Sequence, residues 1–434
     1  MTVNEIYSIF QKCTGVTTDS RKCGPGLMFF ALKGERFDGN EFVSGALEQG
    51  CPYAVMDNAD LYDAQDSRMI LVNNVLSTLQ RVAALHRRTL GTPVIGITGT
   101  NGKTTTKELT NAVMSSTYKV LCTQGNLNNS IGVPLTVFGL RPEHEYAIIE
   151  MGASHPGDIK ELVEVSQPDY GLITNVGKAH LLGFGSFEGV KRTKGELYDW
   201  LREHNGTAFV NRDNEHLQQM AAGLPLIEYG KPGQEGLLVE GEVLECNPYV
   251  KFRWRSGKGE WHTVQTSLIG AYNVDNALAA ITIGLKFGVK EQDASDAVAD
   301  YKPQNNRSQL TETGRNRLVV DAYNANPTSM AAALENFSMI KAQDKMLILG
   351  DMRELGEASD SEHRKIVEEI VKYGFTQVWL VGSEFAKAAD GSGFRLFADV
   401  DEVNRALETE KVTGKTILIK GSNSIGLTKT ITNL

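Results

Sequence analysis

The segment Thr98-Gly-Thr-Asn-Gly-Lys-Thr-Thr-Thr106 carries the plainest chemistry in this chain. It follows the apolar run Pro93-Val-Ile-Gly-Ile97, and a strand leading through a glycine loop into a helix is a phosphate cradle. Backbone N–H groups of Gly99, Thr100, Asn101 and Gly102 can converge on phosphate oxygens. Lys103 supplies a point charge, and the Thr104 hydroxyl, with Thr105 beside it, suits Mg²⁺. The spacing departs from the strict eight-residue phosphate-loop pattern, because Ile97 stands where the first glycine would be and Gly96 comes one residue early. The shorter core from Gly99 to Thr104 remains sterically competent. An ordinary strand-to-helix turn would explain neither Lys103 nor the threonines at 104, 105 and 106.

Three further polar signals fall at or beyond strand ends, where open α/β sheets bind ligands. Glu150 ends the run Ala147-Ile-Ile-Glu150, and Asn175 opens Asn175-Val-Gly-Lys-Ala-His180. Lys194 falls in the helical segment Lys191-Arg-Thr-Lys-Gly-Glu196. Thr104, Glu150 and His180 are suitable ligands for Mg²⁺ or Mn²⁺ beside a triphosphate, His180 being the unusual member because Mg²⁺ prefers oxygen. Each has a plainer explanation. Glu150 could be satisfied by a helix N-terminus, His180 could be structural, and Lys194 could be a solvated helix lysine. Nearer the C-terminus, Asp321-Ala-Tyr-Asn324-Ala-Asn326-Pro327 has the amides and carboxylate to grip a ribose, a phosphate or a carboxylate, or simply to cap a helix. The loops Gly350-Asp-Met-Arg-Glu-Leu-Gly356 and Lys420-Gly-Ser-Asn-Ser424 are two more polar strand ends on the same expected sheet. Near the N-terminus, Ser20, Arg21, Lys33 and Gly34 form a basic and hydroxyl-bearing group that could hold a diphosphate or could be a solvated hairpin.

Positioning these groups takes more than one core. The chain has 434 residues, 41% of them hydrophobic, which predicts several globular domains. Three zones are expected: 1–90, with short strands and helices and a closing helix over 78–89; 91–301, with the phosphate strand over 93–97 and parallel strands ending at Glu150 and Asn175; and 302–434, a doubly wound α/β unit. Residues 236–268 read as strand-rich and exposed. The net charge of -9 argues against nucleic acid or an anionic membrane as partner. The five cysteines show no metal or redox spacing. No secretory signal or membrane span is legible, so a cytoplasmic protein is expected.

Taken together, these segments resemble the ATP-dependent Mur ligases of peptidoglycan synthesis over essentially the whole chain. The pieces that carry the resemblance include the stretches at 19–39, 96–108, 125–136 (GNLNNSIGVPLT), 150–159, 174–186, 194–196, 321–330 (DAYNANPTSM) and 349–356. The phosphate loop alone would equally fit folylpolyglutamate synthases. The 125–136 and 321–330 segments discriminate further, toward the members that add D-alanyl-D-alanine to a UDP-N-acetylmuramoyl-tripeptide.

The resemblance implies a three-domain α/β architecture binding UDP-sugar, ATP and dipeptide in that order. It implies ATP and Mg²⁺, with Mn²⁺ left open, and a monomer. Ser20, Arg21, Lys33 and Gly34 would lie near the UDP moiety, and Asn128, Asn324 and Asn326 near substrate. Lys103 would contact the outer phosphates, with Thr104 and Glu150 holding one metal and His180 and Lys194 a second; Lys194 would be N-carboxylated. Asn273 and Asn276 would approach adenine, Arg307 the γ-phosphate, and Asp321 the nucleotide side of the cleft. Lys103, His180, Lys194 and Asn324 would form the catalytic group. Two departures stand out. Residue 423 is Asn where the family often has Arg, which removes a bidentate carboxylate anchor. The sequence around Arg307 is also looser than usual. A single-amino-acid ligase, or a nucleotide-binding regulator, are the other readings. A pure sensor has little need of Lys103, Thr104, Glu150, His180 and Lys194 together. The third residue of the tripeptide, diaminopimelate or lysine, stays open.

Overall fold

In this computed structural model the described residues are 1–303 and 309–434. Arg307 lies outside them. The first zone opens with helix Val3–Phe10, started by a capping box in which Thr2 and Glu5 satisfy each other's backbone N–H groups. Four parallel strands follow in the spatial order Gly15–Thr17, Leu27–Phe30, Tyr53–Met56, Met69–Leu71, with a small antiparallel hairpin, Lys33–Gly34 against Phe37–Asp38, beside them. The closing helix spans Val75–Leu90 and starts three residues before the expected position. The Asn74 side chain accepts from the Ser77 N–H at 2.8 Å and sets that start. Gly91, at φ 68°, ends it.

Among the described residues the second sheet has nine strands. From Val120–Cys122 it runs through Tyr146–Glu150, Val94–Thr98, Tyr170–Ile173, Thr207–Asn211 and Leu226–Gly230 to Val239–Cys246, all parallel. Tyr249–Ser256 and His262–Ile269 complete it antiparallel. The apolar runs are buried on both faces, as continuous hydrophobic strands require. Ile95, Ile97 and Ile148 pack toward helices Lys103–Ser115 and Asn273–Lys286. Val94, Ala147 and Ile149 face the opposite layer, helices Asp158–Ser166 and Phe187–Glu203. The strands within 236–268 are not simply exposed. Val250, Phe252 and Trp254 alternate inward and are buried, with Trp254 Nε1 donating to Ser295 Oγ at 3.1 Å on helix Glu291–Asp300. The intervening arginines face out, so the period of two is that of a half-covered sheet.

The third sheet is doubly wound, in the order Gln309–Glu312, Arg317–Asp321, Thr416–Lys420, Lys345–Gly350, Val378–Val381, Arg395–Phe397, antiparallel only at its first edge. The first and second zones share one apolar cluster. The Phe10 and Phe138 rings lie 4.7 Å apart, His86 Nε2 bonds the Leu140 carbonyl at 3.1 Å, and Arg141 donates to the Thr14 carbonyl at 2.8 Å. The five cysteines are all free thiols. Among the described residues no helix is long and apolar enough to cross a membrane.

Candidate active site

The phosphate loop leaves strand Val94–Thr98 at Gly99, whose φ is +144°. A Cβ there would stand 2.0 Å from Thr174 Oγ1, so only glycine fits. Gly102, at φ +79°, is closed in by Asn276, whose Oδ1 would lie 2.7 Å from an added Cβ. The next parallel strand supports the loop from beneath. Thr100 N donates to Asn175 O at 2.9 Å, Asn101 N to Asn175 Oδ1 at 3.0 Å, and Thr174 Oγ1 to Asn101 O at 2.6 Å. Helix Lys103–Ser115 begins at the loop's end, and Lys103 Nζ donates to Gly99 O at 2.7 Å and Thr100 O at 3.0 Å. Asn276 and Asn273 lock the next helix onto this turn. Thr106 Oγ1 donates to Asn276 Oδ1 at 3.0 Å, Asn276 Nδ2 to Asn273 Oδ1 at 2.9 Å, and Asn273 Nδ2 to Ile269 O at 2.8 Å.

Glu150 is buried at the end of the adjacent strand. Its Oε1 accepts from Thr104 Oγ1 at 3.1 Å and Asn128 Nδ2 at 2.8 Å, whereas its buried Oε2 has no hydrogen-bond partner among the described residues. A buried carboxylate oxygen left unpaired is costly, and a hard cation held between it, the Thr104 hydroxyl and substrate phosphates fits that demand. No cluster of three or more His, Cys, Asp or Glu side chains poised for a metal occurs among the described residues. A cation here would therefore draw most of its ligands from phosphate and water, as Mg²⁺ does.

Lys194 is not a solvated helix lysine. It is 2% exposed, its Nζ lies 3.5 Å from the Ala153 carbonyl and 5.5 Å from the centre of the Phe184 ring, and it has no carboxylate ion pair among the described residues. Burial first, and then the Lys103 charge, hold its pKa well below the usual 10.5. His180 adopts the left-handed conformation at φ 50°, uncommon for a non-glycine residue. Burial, opposed by the Glu354 carboxylate and reinforced by the Lys103 and Lys194 charges, lowers its pKa below 6.5. Glu354 comes from the third domain, is itself left-handed at φ 64°, and sets its carboxylate against His180 Nδ1 without an aligned hydrogen bond, while its backbone carbonyl accepts from Leu182 N at 3.1 Å.

The third domain brings its strand ends to the opposite wall. Lys420, buried, donates to Asp321 Oδ2 at 2.6 Å and to the Asn324 carbonyl at 3.2 Å. Asn326 does two jobs at once. It caps helix Pro327–Met339 through a reciprocal pair with Ser329, and its Nδ2 donates to Asn101 Oδ1 at 2.8 Å across the domain boundary. Between these walls lies a cleft of about 810 Å³. It brings together Thr100 to Thr105, Asn128, Glu150, His180, Asn273, Asn276, Asp321, Asn324 and Asn326. Gly99 lies in the loop's turn and Lys194 behind the wall formed by Ala153. Ser20, Arg21, Lys33 and Gly34 do not line it. In the first domain, Arg21 makes a two-pronged pair with Asp19 at 2.8 Å, and Lys33 lies 3.6 Å from Asp38 and 3.5 Å from Asp57. The expected strand-end loop at Lys420 does reach the cleft, whereas the sequence pattern assigns no individual role to Thr174, Asn211 and Asp275, at strand ends or a helix start beside it. Their positions in the α/β pattern were the available signal.

Residues 97–284 match the family described as "Mur ligase middle domain", residues 306–423 "Mur ligase, glutamate ligase domain", and residues 12–87 "Mur ligase family, catalytic domain". The chain belongs to the Mur ligase family. Among the Mur ligases it is 34% identical to the UDP-N-acetylmuramoyl-tripeptide–D-alanyl-D-alanine ligase of Bacillus subtilis (strain 168), covering 97% of this chain and 93% of that protein. The crystal structure I of MurF from Acinetobacter baumannii superposes with a TM-score of 0.89 at 28% identity, covering 100% of this chain and 98% of the other. The Thermotoga maritima MurF ligase in complex with ADP gives a TM-score of 0.86 at 25% identity, covering 98% and 97%. The three-domain α/β architecture is thus the Mur ligase fold.

Proposed function

We propose that this Mur ligase uses ATP to join D-alanyl-D-alanine to UDP-N-acetylmuramoyl-tripeptide, with release of ADP and phosphate. The observation that carries the reading is the facing of the phosphate loop and Glu150 by the Asp321–Asn326 segment across one cleft. Near-full-length similarity to ligases of that name supports the choice of substrates. In this reading residues 1–90 bind the UDP-sugar, 91–301 ATP and 302–434 the dipeptide. Ser20, Arg21, Lys33 and Gly34 take the UDP moiety. Arg21 is exposed, and opening its surface pair with Asp19 costs little.

The chemistry is activation followed by amide formation. A carboxylate oxygen of the tripeptide attacks the γ-phosphorus and ADP leaves, giving an acyl phosphate. The dipeptide amine attacks the acyl carbon, loses a proton, and phosphate departs. Lys103 exchanges its bonds to the Gly99 and Thr100 carbonyls for phosphate oxygens and neutralises charge that develops there. Thr104 and Glu150 would hold Mg²⁺, or Mn²⁺, which when bound offsets phosphate charge. The lowered pKa of Lys194 eases loss of the proton that addition of CO₂ requires, and a carbamate formed there would be a ligand for a second cation together with His180. Asn324 and Asn326 help position the acceptor and close the cleft against water, which would otherwise hydrolyse the acyl phosphate. We take the enzyme to be a cytoplasmic monomer. ADP release should require ATP, Mg²⁺, UDP-sugar tripeptide and dipeptide together, with a product one dipeptide heavier. Release independent of the dipeptide would refute the acceptor assignment.

A further inference from the structure

Beyond Gly102 the cleft continues along the first turn of helix Asn273–Lys286, where Leu268 and the partly exposed Tyr272 supply apolar surface and Asn211, Asn214 and Asp275 supply polar groups. Most of those polar groups are already engaged. Asn214 Oδ1 caps its own helix through Leu217 N at 3.3 Å, and Asn211 Oδ1 accepts from Asp213 N at 2.9 Å. The Asn273 and Asn276 amides hold each other and the loop. Asp275 differs. It makes no side-chain hydrogen bond and no ion pair among the described residues, although it lines the cleft. Its side chain is open to the cleft, yet the protein crowds it on its other sides. That crowding, with Asp213 second and Lys231 opposing, raises its carboxyl pKa from 3.8 to about 6. A carboxylate merely solvated on a helix's first turn would keep its ordinary acidity.

We propose that Asp275 is the acceptor that reads the amino edge of the adenine base and thereby sets the enzyme's choice of purine. The inference rests on the nucleotide-binding reading above. Phosphates seated on Gly99 to Lys103 fix one end of the ligand, and Asn276, next in sequence to Asp275, borders Gly102. The nucleoside then extends toward Tyr272 and Leu268, whose apolar surface lines the cleft there and suits a base. Adenine presents the N6 amino group as a donor where guanine presents the O6 acceptor. A carboxylate bonds the first and repels the second, a discrimination by unpaired acceptors rather than by size. The ribose hydroxyls are the other donors on the ligand, and the test separates them from the base.

Binding of ATP, GTP and 2′-deoxyATP to the full chain in the presence of Mg²⁺ would be measured by calorimetry for the unaltered protein, Asp275→Asn and Asp275→Ala. The unaltered protein should prefer ATP to GTP. Asp275→Asn, whose amide can turn to donate or accept, should lose about tenfold in ATP affinity without losing GTP affinity, so that the ratio falls at least tenfold. Asp275→Ala should also lose the preference, and 2′-deoxyATP should track ATP in every variant. An ATP-to-GTP ratio unchanged in both variants overturns the proposal. So does a penalty for 2′-deoxyATP that Asp275→Asn abolishes, since that assigns the carboxylate to the ribose. Failure of the unaltered protein to bind ATP would instead remove the nucleotide reading. Adenine selectivity without dipeptide-dependent ADP release would remove only the ligase assignment.

Discussion

Asn326 caps a helix of the third domain and also reaches Asn101 in the phosphate loop. Two substitutions separate these roles. Serine caps a helix about as well as asparagine, so Asn326→Ser should keep the bond to Ser329 N, now 2.9 Å, while its shorter side chain falls short of Asn101. The lost contact is an ordinary hydrogen bond, worth about 0.5–1.5 kcal/mol. At room temperature that corresponds to roughly a 2- to 12-fold loss of the arrangement in which the third domain faces bound nucleotide. Asn326→Ala loses that bond and the cap, which costs about 1 kcal/mol more of folding stability. Steady-state ADP release and urea denaturation should therefore diverge. Asn326→Ser should slow turnover by about that factor with stability unchanged within about 0.5 kcal/mol, and Asn326→Ala should lose both. Equal stability losses in the two variants, or full turnover in Asn326→Ser, would show that the cross-domain bond contributes nothing.

Lys103→Ala should lower ADP release by about 10²–10³-fold, the usual cost of deleting a preorganised charge. It should cost about 1–2 kcal/mol of stability in denaturant titration, because the Gly99 and Thr100 carbonyls lose their donor. Glu150→Gln should raise the Mg²⁺ concentration needed for half-maximal turnover at least tenfold by replacing the unpartnered Oε2 with an amide, with the fold intact by circular dichroism; an unchanged Mg²⁺ titration would remove Glu150 from the metal site. Lys194→Ala should cripple turnover, and added small carboxylates should partly restore it. Lys194→Met should be more stable than the unaltered protein in CO₂-free buffer at pH 7. The folded lysine holds its proton less tightly than the unfolded one, a penalty on stability that is present below 10.5 and fades as pH approaches it. Stability curves that do not converge toward that pH would contradict a lowered Lys194 pKa.

Much of the site was legible because it sits where apolar runs stop. Thr98, Glu150 and Asp321 each end an uninterrupted hydrophobic strand, and in a parallel sheet such ends share an edge. What the sequence could not supply was the pairing of distant groups. Nothing local to Lys194 announces its burial, because the covering atoms come from Ala153 and Phe184. Glu354 beside His180, and Asn101 beside Asn326, are contacts between domains and leave no periodic trace. The strands near Trp254 read as exposed because their covering helices lie downstream, and the period of two gives alternation but not which side is roofed.

The two boundaries between domains are made of different material. Between the first and second runs hydrocarbon, with Phe10 against Phe138 and a continuous apolar cluster. Between the second and third, polar contacts such as Asn101 with Asn326 and Lys178 with Glu362, 2.8 Å apart, stand beside a smaller apolar seam in which Ile269, Tyr249 and Leu181 pack on the third domain's core. Water can replace the second kind at small cost and the first only at large cost. The chain is tripartite in sequence, but its first two parts share one core, and the third joins them across a boundary that is wet over part of its area. A chain beginning at residue 91 would leave Phe138 and its neighbours as an open hydrophobic wound.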